Sequence, residues 1–246
     1  MARLIGVVGG MGTDAGIDLL KKIAGNTPAV KDQDHLPVIM ISKPASILDR
    51  TEYLFGEVDV NPGFAISSVA NELAKAGAEL LAIPCNTAHV PEIIGIVENK
   101  LAPGMRIVNM IEEVGKYIAD NFKVVKKVGI LGTNGVYRSG VYDQYLYDYD
   151  IVTVYPNEVD QFGKVHPSVY DPFYGIKAVS NPVSDRSVAD LLYVSEDLIE
   201  RGAELIILGC TEIPLALTED MVFGVPLIDA NNVLAKALVR ESSGSA

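Results

Sequence analysis

Short apolar runs alternate along this chain with longer stretches in which apolar residues recur every three or four positions. Short runs bounded by glycine, proline or polar residues are typical of buried strands, whereas the longer periodicity is typical of amphipathic helices. Strands that alternate with helices predict an α/β fold built on mainly parallel sheets. The predicted strands are Leu4–Val8, Val38–Ser42, Leu80–Ile83, Ile107–Val108, Val128–Leu131, Ile151–Tyr155, Leu205–Leu208 and Pro226–Ile228.

Two of the predicted helices have clear beginnings and ends. Pro62 suits the first turn of one helix, and Ser184 can accept a hydrogen bond at the start of the other. Gly77 and Gly202 follow the two apolar stripes and can adopt the left-handed conformation in which helices commonly end. The stripes consist of Ala65, Ile66, Val69, Ala70 and Leu73 in the first helix and of Val188, Leu191, Leu192, Ser195 and Leu198 in the second.

The glycine that ends each of these helices and the residues after it form a sequence pattern that occurs twice in the chain. Gly77 and Gly202 are each followed by Ala-Glu-Leu, and each lies eight residues before a cysteine, Cys85 or Cys210. A repeat of about 125 residues is as long as one compact domain and too long for the unit of a solenoid. The duplication therefore predicts two related half-domains, each carrying one of the chain's two cysteines.

We expect two pseudosymmetric lobes, each a four-stranded, mainly parallel sheet flanked by helices, with the active site in the cleft between them. The first lobe is predicted to span residues 1–110 and the second residues 111–225. The C-terminal segment, about 226–246, is expected to pack back on the first lobe. Its last residues, Ser242–Ala246, are expected to be disordered because they are small and polar.

Composition and charge narrow the possible partners. The chain has 246 residues, 49% of them hydrophobic, and a formal net charge of −12, which disfavours binding to nucleic acid. No apolar run reaches the roughly 18 residues that a membrane span requires. A strand that begins near Leu4 leaves no room for a secretory leader. We therefore expect a cytoplasmic protein with neither nucleic-acid nor membrane partners.

The two cysteines are the main candidates for chemistry. In a cytoplasmic chain a cysteine pair is seldom a structural disulfide. The histidines, His35, His89 and His166, are scattered, and no Cys-x-x-Cys pair occurs, so no metal site is predicted. The cysteines are then either buried small apolar residues or reactive thiols. Their matching positions at the ends of duplicated strands favour reactive thiols.

Polar residues follow both cysteines at the carboxyl ends of strands, where parallel sheets bind ligands. Helices are predicted to begin near Pro91 and Pro214, so that each thiol would lie near a helix N-terminus that stabilises its thiolate. Asn86, Thr87 and Thr211 supply amide, hydroxyl and backbone N–H groups. Such groups can hold a carboxylate and the negative charge that develops when its α-proton leaves.

Four motifs make the chain similar to a known family over residues Leu4 to about Asp229. They resemble the aspartate/glutamate racemase superfamily, and the aspartate racemase branch most closely. The resemblance implies two α/β lobes, no cofactor, a homodimer and a cysteine pair acting as the two catalytic bases. Thr13 stands where the family's glycine loop commonly has proline, and we expect it to cap the first helix. The motifs are Gly9-Gly-Met-Gly12, Asp49-Arg50-Thr51, Pro84-Cys-Asn-Thr-Ala-His89 and Gly209-Cys-Thr-Glu-Ile-Pro-Leu215.

The resemblance also implies roles for individual residues. Cys85 and Cys210 would be the catalytic bases, and Arg50 would bind a side-chain carboxylate. Lys177 resembles a further active-site lysine of the branch. The other residues implied to line the substrate site are Met11, Asn86, Thr87, Thr211 and Glu212.

Several of these positions keep a simpler interpretation. Arg50 could be a surface charge paired with a neighbouring acid, and Lys177 a solvated side chain. His89 could be a structural residue at a helix start. Glu212 could orient Cys210 or merely favour the start of a helix.

The resulting hypothesis is a cofactor-independent amino-acid racemase that acts on aspartate through a thiolate and a thiol. A glutamate or broad-specificity acidic amino-acid racemase is the alternative within the same class. A two-lobed small-molecule binding protein is the alternative of another class. Dinucleotide binding is disfavoured, because Gly10-x-Gly12-x-x-Ala15 fits the fingerprint but Lys43 and Pro44 follow the second strand where that motif expects an acid.

Overall fold

The computed structural model describes residues 2–244, and the chain divides into two compact units. The first unit contains the residues up to Glu113 together with those from Asn231 onward. The second unit is the uninterrupted stretch Val114–Ala230. Each unit is built around its own sheet with helices on it, so the predicted α/β class is confirmed.

The sheet of the first unit has four strands, all parallel, in the order β2-β1-β3-β4. Every residue of β1 is buried, because this strand lies between two others and carries helices on its faces. All four strands were expected from the apolar runs, with bounds that differ by at most one residue. They are β1 (Ile5–Gly9), β2 (Val38–Ser42), β3 (Leu80–Ala82) and β4 (Arg106–Ile107).

Helices connect the strands of the first unit. In α3 the buried side chains include Ile66, Val69, Ala70 and Leu73, as the apolar stripe predicts. The chain leaves this helix through Gly77, whose φ is +94°, a value that favours glycine. The helices up to the start of the second unit are α1 (Thr13–Asn26), α2 (Arg50–Phe55), α3 (Gly63–Lys75), α4 (Pro91–Asn99) and α5 (Met110–Asn121).

The sheet of the second unit has five strands in the order β6-β5-β7-β9-β8, so the expected number of four is wrong here. Four strands are parallel and match the predicted ones, whereas the two-residue β8 runs antiparallel to β9. Phe223 and Gly224 join β8 to β9, both with positive φ, as tight hairpins require. The strands are β5 (Lys127–Gly132), β6 (Val152–Val154), β7 (Leu205–Gly209), β8 (Met221–Val222) and β9 (Val225–Asp229).

The helices of the second unit include the expected counterpart of α3. This counterpart is α10 (Asp185–Glu200), and the Ser184 hydroxyl caps it by accepting from the backbone N–H of Ser187 at 3.2 Å. The chain leaves the helix at Gly202, which has a φ of +93°. A π-helical turn, Gln161–Val165, separates two short helices. The helices are α6 (Asn134–Ser139), α7 (Val141–Tyr147), α8 (Glu158–Asp160), α9 (His166–Tyr170) and α10 (Asp185–Glu200).

The duplication is visible in how strand and helix pack. A Cβ added to Gly6 of β1 would lie 2.8 Å from the Cβ of Ala78. At the matching position of the second unit, a Cβ on Gly129 of β5 would lie 3.3 Å from the Cβ of Ala203. Both glycines therefore allow the chain behind the helix to approach the strand closely, and the approach is tighter in the first unit.

The last helix, α11 (Ala230–Ser243), begins where the second unit ends and completes the first unit. The sequence analysis expected the whole segment from about residue 226 onward to pack on the first lobe. Strand β9 pairs with β7 in the second unit, so only the residues after β9 belong to the first unit. Asn231 is fully buried and donates to the carbonyl of Ala15 at 3.1 Å. Among residues 2–244, no helix combines the length and the apolar content that a membrane crossing needs.

The expected disorder at the C-terminus is wrong for Ser242 and Ser243, which are the last residues of α11. Ser242 is 1% exposed, its hydroxyl donates to the carbonyl of Arg3 at 2.6 Å, and its own carbonyl accepts from the Arg3 N–H at 3.0 Å. Small polar residues suggested a loose tail, but these hydrogen bonds hold them beside the start of β1. Ser245 and Ala246 lie outside the described residues.

Candidate active site

Cys85 lies just beyond the carboxyl end of β3, the position at which parallel sheets present ligand-binding groups. Its backbone N–H donates to the carbonyl of Ile83 at 2.8 Å, and its side chain is 6% exposed. Met11, from the loop after β1, belongs to the same buried apolar cluster as Cys85. The first unit thus places this thiol and the glycine loop together, in agreement with the sequence analysis.

A hydrogen bond from His89 stabilises the turn that follows Cys85. The turn Asn86–His89 precedes α4, and the Nε2 atom of the His89 ring lies 3.1 Å from the carbonyl oxygen of Ile83. The ring is fully buried, and burial lowers the pKa of His89 from 6.5 to about 4, partly opposed by that hydrogen bond. The buried ring thus connects the end of this turn to the residues that precede Cys85.

Arg50 is the first residue of α2, whose N-cap is Asp49. The Asp49 carboxylate accepts from the backbone N–H of Thr51 at 2.7 Å and lies 4.0 Å from the Arg50 guanidinium. Only 7% of the Arg50 side chain is exposed, so its interpretation as a surface charge is wrong. Two of its nitrogens donate to backbone carbonyls, those of Leu48 at 3.1 Å and Met11 at 3.3 Å. Arg50 therefore links α2 to the glycine loop.

The remaining candidates of the first unit lie in the turn after Cys85. Asn86 is 2% exposed and Thr87 is 6% exposed. Helix α2 packs against this turn, so Arg50 and the residues after Cys85 belong to one region of the first unit.

Cys210 occupies the matching place in the second unit, directly after β7. Gly209 pairs in register with Gly132 of β5, which brings the ends of the two central strands side by side. The Cys210 thiol is 6% exposed and donates to the Oε2 atom of Glu212 at 2.9 Å. Burial raises the pKa of Cys210 well above its ordinary value, and the Glu212 carboxylate raises it further, partly opposed by Lys177.

Glu212 joins the other candidates of the second unit. Its Oε1 atom accepts from the Lys177 ammonium at 2.9 Å, and the Thr211 hydroxyl lies 3.3 Å from Oε2. The Glu212 side chain is 5% exposed and that of Lys177 is 27% exposed. Lys177 therefore pairs with a buried carboxylate, while part of its own side chain remains exposed to water.

Two expectations about helix starts need correction. Helix α4 begins at Pro91 as predicted, but Pro214 lies in a single short turn, Ile213–Leu215, and the next α-helix begins only at Ala230. A short turn has no macrodipole that could favour a thiolate at Cys210, and the raised pKa agrees with its absence. Thr13 does not cap α1, because Gly12 is the N-cap and Thr13 is the first helical residue.

The structure adds polar residues at this edge of the second unit that the sequence analysis missed. The side-chain amide of Gln161, fully buried in the π-helical turn, donates to the carbonyl of Gly132 at 3.0 Å and to the Asn134 side chain at 2.9 Å. The backbone N–H of Asn134 lies 3.3 Å from Nδ1 of His166. No local sequence pattern marks Gln161.

No metal centre is found within residues 2–244, since no three His, Cys, Asp or Glu side chains are grouped so that they could hold an ion. Cys85 and Cys210 are both free thiols. Each unit thus brings its own candidates together: Met11, Arg50, Cys85, Asn86 and Thr87 in the first, and Lys177, Cys210, Thr211 and Glu212 in the second.

Comparison with known proteins identifies the relatives of this chain. Residues 8–238 match the model of the Asp/Glu/hydantoin racemase family. The broad specificity amino-acid racemase RacX of Bacillus subtilis is 26% identical over 243 residues, 96% of each protein. Picrophilus torridus aspartate racemase has a similar structure, with a TM-score of 0.80, 26% identity and coverage of 98% of this chain and 94% of that chain. Glutamate racemase from Francisella tularensis shares the fold, with a TM-score of 0.68 and 17% identity over 96% of this chain and 80% of that chain.

Proposed function

The chain belongs to the Asp/Glu/hydantoin racemase family, and from this membership we propose that it interconverts the L- and D-enantiomers of an acidic amino acid, with aspartate as the preferred substrate. Its relatives are racemases, which are isomerases. The observation that carries the proposal is the matching position of Cys85 and Cys210, each a buried free thiol beyond the end of a central parallel strand.

In the proposed reaction the two cysteines act on opposite faces of one carbon. One cysteine, as thiolate, takes the α-proton into a new S–H bond, and the electron pair of the broken C–H bond remains on the substrate as an enolate. The other cysteine, as thiol, gives its proton to the opposite face. The roles exchange when the other enantiomer binds, so the pair always shares one proton. No electrons are gained or lost.

The proposed mechanism requires the two sulfurs to face opposite sides of one bound substrate. Each proton transfer needs a heavy-atom approach of about 3 Å, so a crystal structure with a bound ligand should place the sulfurs on the order of 7–9 Å apart. Asn86, Thr87 and Thr211 would hold the α-carboxylate. Cysteines enclosed in separate, sealed cores would contradict this mechanism.

Two features support aspartate as the substrate. Arg50 is a buried guanidinium beside the cysteine loop. It suits a substrate whose side chain ends in a carboxylate, because an apolar substrate side chain could not pair with this charge. The Picrophilus torridus relative is an aspartate racemase. The Bacillus subtilis relative is a broad specificity racemase, which makes a wider range of substrates the second candidate.

The test is to incubate the purified protein with single L-enantiomers of aspartate, glutamate, alanine and serine and to separate the products by chiral chromatography. We expect D-aspartate to form fastest, and deuterium to enter its α-carbon in heavy water. Comparable rates with all four substrates would favour the second candidate. Tight binding of an amino acid without inversion would favour the two-lobed binding protein instead.

We also propose that the reaction needs no cofactor. Activity should survive dialysis against a chelator and a carbonyl-trapping reagent, because the thiol pair supplies both proton transfers. Activity that returned only with pyridoxal phosphate would contradict this. The homodimer and the cytoplasmic location remain predictions, the first checked by light scattering and the second by cell fractionation.

A further inference from the structure

The thiol of Cys210 has a specific hydrogen-bond partner that is not needed to take or give the α-proton. Its sulfur lies 2.9 Å from Oε2 of Glu212, two residues further along the same loop. Glu212 is 4% exposed, so water has little access to this carboxylate. A carboxylate can only accept hydrogen bonds, so an ionised Glu212 favours the protonated form of the sulfur beside it.

Lys177 holds this carboxylate in its charged form and in place. The Lys177 ammonium donates to Oε1 of Glu212 at 2.9 Å, which leaves Oε2 directed at Cys210. The same ammonium lies 5.1 Å from the centre of the Tyr170 ring, a second contact that fixes its position. A buried carboxylate with an ion-pair partner remains ionised, because the nearby positive charge offsets the loss of water.

The other ionisable groups around Cys210 do not cancel this effect. Lys177 lowers the pKa of Cys210, but burial and Glu212 together outweigh it, so the thiol pKa is raised well above its ordinary value. Tyr142 also faces Cys210, and burial raises the Tyr142 pKa, so this phenol carries no charge near neutral pH. The groups that surround Cys210 therefore favour a thiol.

The matching loop of the first unit has no carboxylate two residues after its cysteine. Cys85 is followed by Asn86 and Thr87, whereas Cys210 is followed by Thr211 and Glu212. Thr87 thus stands where the second loop has Glu212, and a threonine has no carboxylate to favour a protonated sulfur. The two halves of the repeat differ at the residue that acts on the thiol.

We propose that Glu212, fixed by Lys177, is a positioning residue that keeps the shared proton on Cys210 in the substrate-free protein. This inference rests on the proposed function, in which two cysteines share one proton. The enantiomer whose α-proton faces Cys85 then meets a protein with its base and acid ready. The opposite enantiomer requires the proton to move to Cys85 first.

The equilibrium between the two enantiomers limits which kinetic measurements can reveal a difference in protonation between Cys85 and Cys210. The two enantiomers have equal free energies in water, so kcat/KM is the same in both directions at every pH. Unequal cysteines can therefore show only in separate kcat and KM values, and in the pH at which each thiol loses its proton. The second quantity can be measured without any turnover.

The decisive experiment follows the alkylation rate of each cysteine by iodoacetamide against pH, with the two peptides resolved by mass spectrometry. Glu212→Gln should lower the midpoint pH for Cys210 by about one to two units, the usual size of a neighbouring like-charge effect. Cys85 should keep its midpoint. Glu212→Thr, which copies the residue of the first loop, should act in the same direction and guards against misfolding of the first variant. Glu219→Gln, an exposed site in the same unit, removes the same charge and should leave both midpoints unchanged.

The outcomes separate this inference from the proposed function. A Cys210 midpoint that is the same in wild type, Glu212→Gln and Glu212→Thr overturns the inference, even if the protein racemises aspartate. A lowered midpoint in a protein that inverts no amino acid supports the Glu212 effect and contradicts the proposed function. With both intact, the alkaline limb of the pH profile of kcat/KM should fall to lower pH in Glu212→Gln by the same amount.

Discussion

The loops that carry Cys85 and Cys210 occupy matching points of the repeat, yet they surround the two thiols with different groups. The first loop continues into amide and hydroxyl side chains and then into α4. The second continues into a carboxylate paired with Lys177 and then into a single short turn. Duplication supplied the same backbone position twice, whereas the residues that act on each sulfur differ.

The two thiols occupy matching positions of the internal repeat, but they need not be equivalent. Racemisation requires one base on each face of the substrate, but it does not require that both begin in the same protonation state. Matching strands account for the presence of two thiols, whereas burial and the Glu212 carboxylate raise the pKa of Cys210.

Removing either thiol should have the largest effect. We expect Cys85→Ala and Cys210→Ala each to lower racemisation of aspartate by at least about 100-fold, because each loses one proton-transfer group. Each variant keeps one cysteine, so it should still exchange the α-proton of one enantiomer with heavy water. The two variants should prefer opposite enantiomers, which proton NMR of D- and L-aspartate can follow separately.

The control for this pair is stability. If the thiols are catalytic, both variants should melt within about 4 °C of wild type, the shift that a change of about 1 kcal/mol gives a chain of this length. Full racemisation by either variant, or preference of both for the same enantiomer, would contradict the assignment of one thiol to each face.

Arg50 begins α2, which packs against the turn after Cys85, whereas the second unit has no arginine between β6 and α10. Arg50→Ala should weaken transition-state binding of aspartate by about 2–4 kcal/mol, the usual loss when one partner of a buried charge pair is removed. Arg50→Lys should restore part of it, because lysine supplies the charge without the planar fork. The measurement is kcat/KM for aspartate and for alanine in the three proteins.

The contacts of Arg50 define the alternative outcome. Its guanidinium also donates to the carbonyls of Leu48 and Met11, so it could act only by holding the glycine loop. Equal losses for aspartate and alanine would indicate that structural role. A loss confined to aspartate would indicate recognition of the side-chain carboxylate.

His89 makes the stability of the folded protein depend on pH in the acid range, and Pro214 occupies the matching position of the second loop. The pKa of His89 is lowered from 6.5 to about 4 in the folded protein, so between these values the unfolded chain binds more protons. Its contribution to stability is thus fully present above pH 6.5 and falls by about 1 kcal/mol per pH unit as the pH drops toward 4. His89→Gln, which keeps a donor for Ile83, should flatten this dependence in urea unfolding at several pH values.

The matched control is His35→Gln, because His35 is exposed. This variant should reproduce the wild-type slope of unfolding free energy against pH. A His89→Gln protein with the same slope as His35→Gln would mean that His89 takes up its proton in the folded state as readily as in the unfolded one.

The smallest effect compares the two strand glycines. Gly6→Ala should destabilise the protein by about 1–3 kcal/mol, since the new methyl would lie 2.8 Å from Ala78. Gly129→Ala should cost less, because its nearest atoms lie 3.2 Å away or more and belong to movable side chains and to Ala203. Thermal melting of the two variants measures the difference. A larger loss for Gly129→Ala would contradict the tighter packing of the first unit.

Much of the fold could be predicted because its signals are local and repeated. The apolar runs predicted all the parallel strands, and Gly77 and Gly202 marked the ends of the two equivalent helices. Strand β8 was missed because Phe223 is not a residue that usually marks a hairpin.

The candidate site was predictable in its members but not in its contacts. The position of Glu212 after Cys210 identified it as a neighbour, yet only the structure shows its hydrogen bond to the thiol and its ion pair with Lys177. Lys177 lies 35 residues from Glu212 in the chain, so the pair depends on tertiary folding. Gln161 was missed for the same reason, since its partners lie in another loop.

The position of α11 has a consequence for the order of events during synthesis on the ribosome. The second unit is one continuous segment, Val114–Ala230, and all of its strands are available as soon as that segment has emerged. The first unit begins earlier but lacks α11, whose Leu234 and Leu238 are fully buried, until the last residues are made. The half of the protein translated first is therefore the half that is completed last. A released chain truncated after Ala230 would keep every strand of the second unit, whereas its first unit would lack α11 and expose part of its core to chaperones.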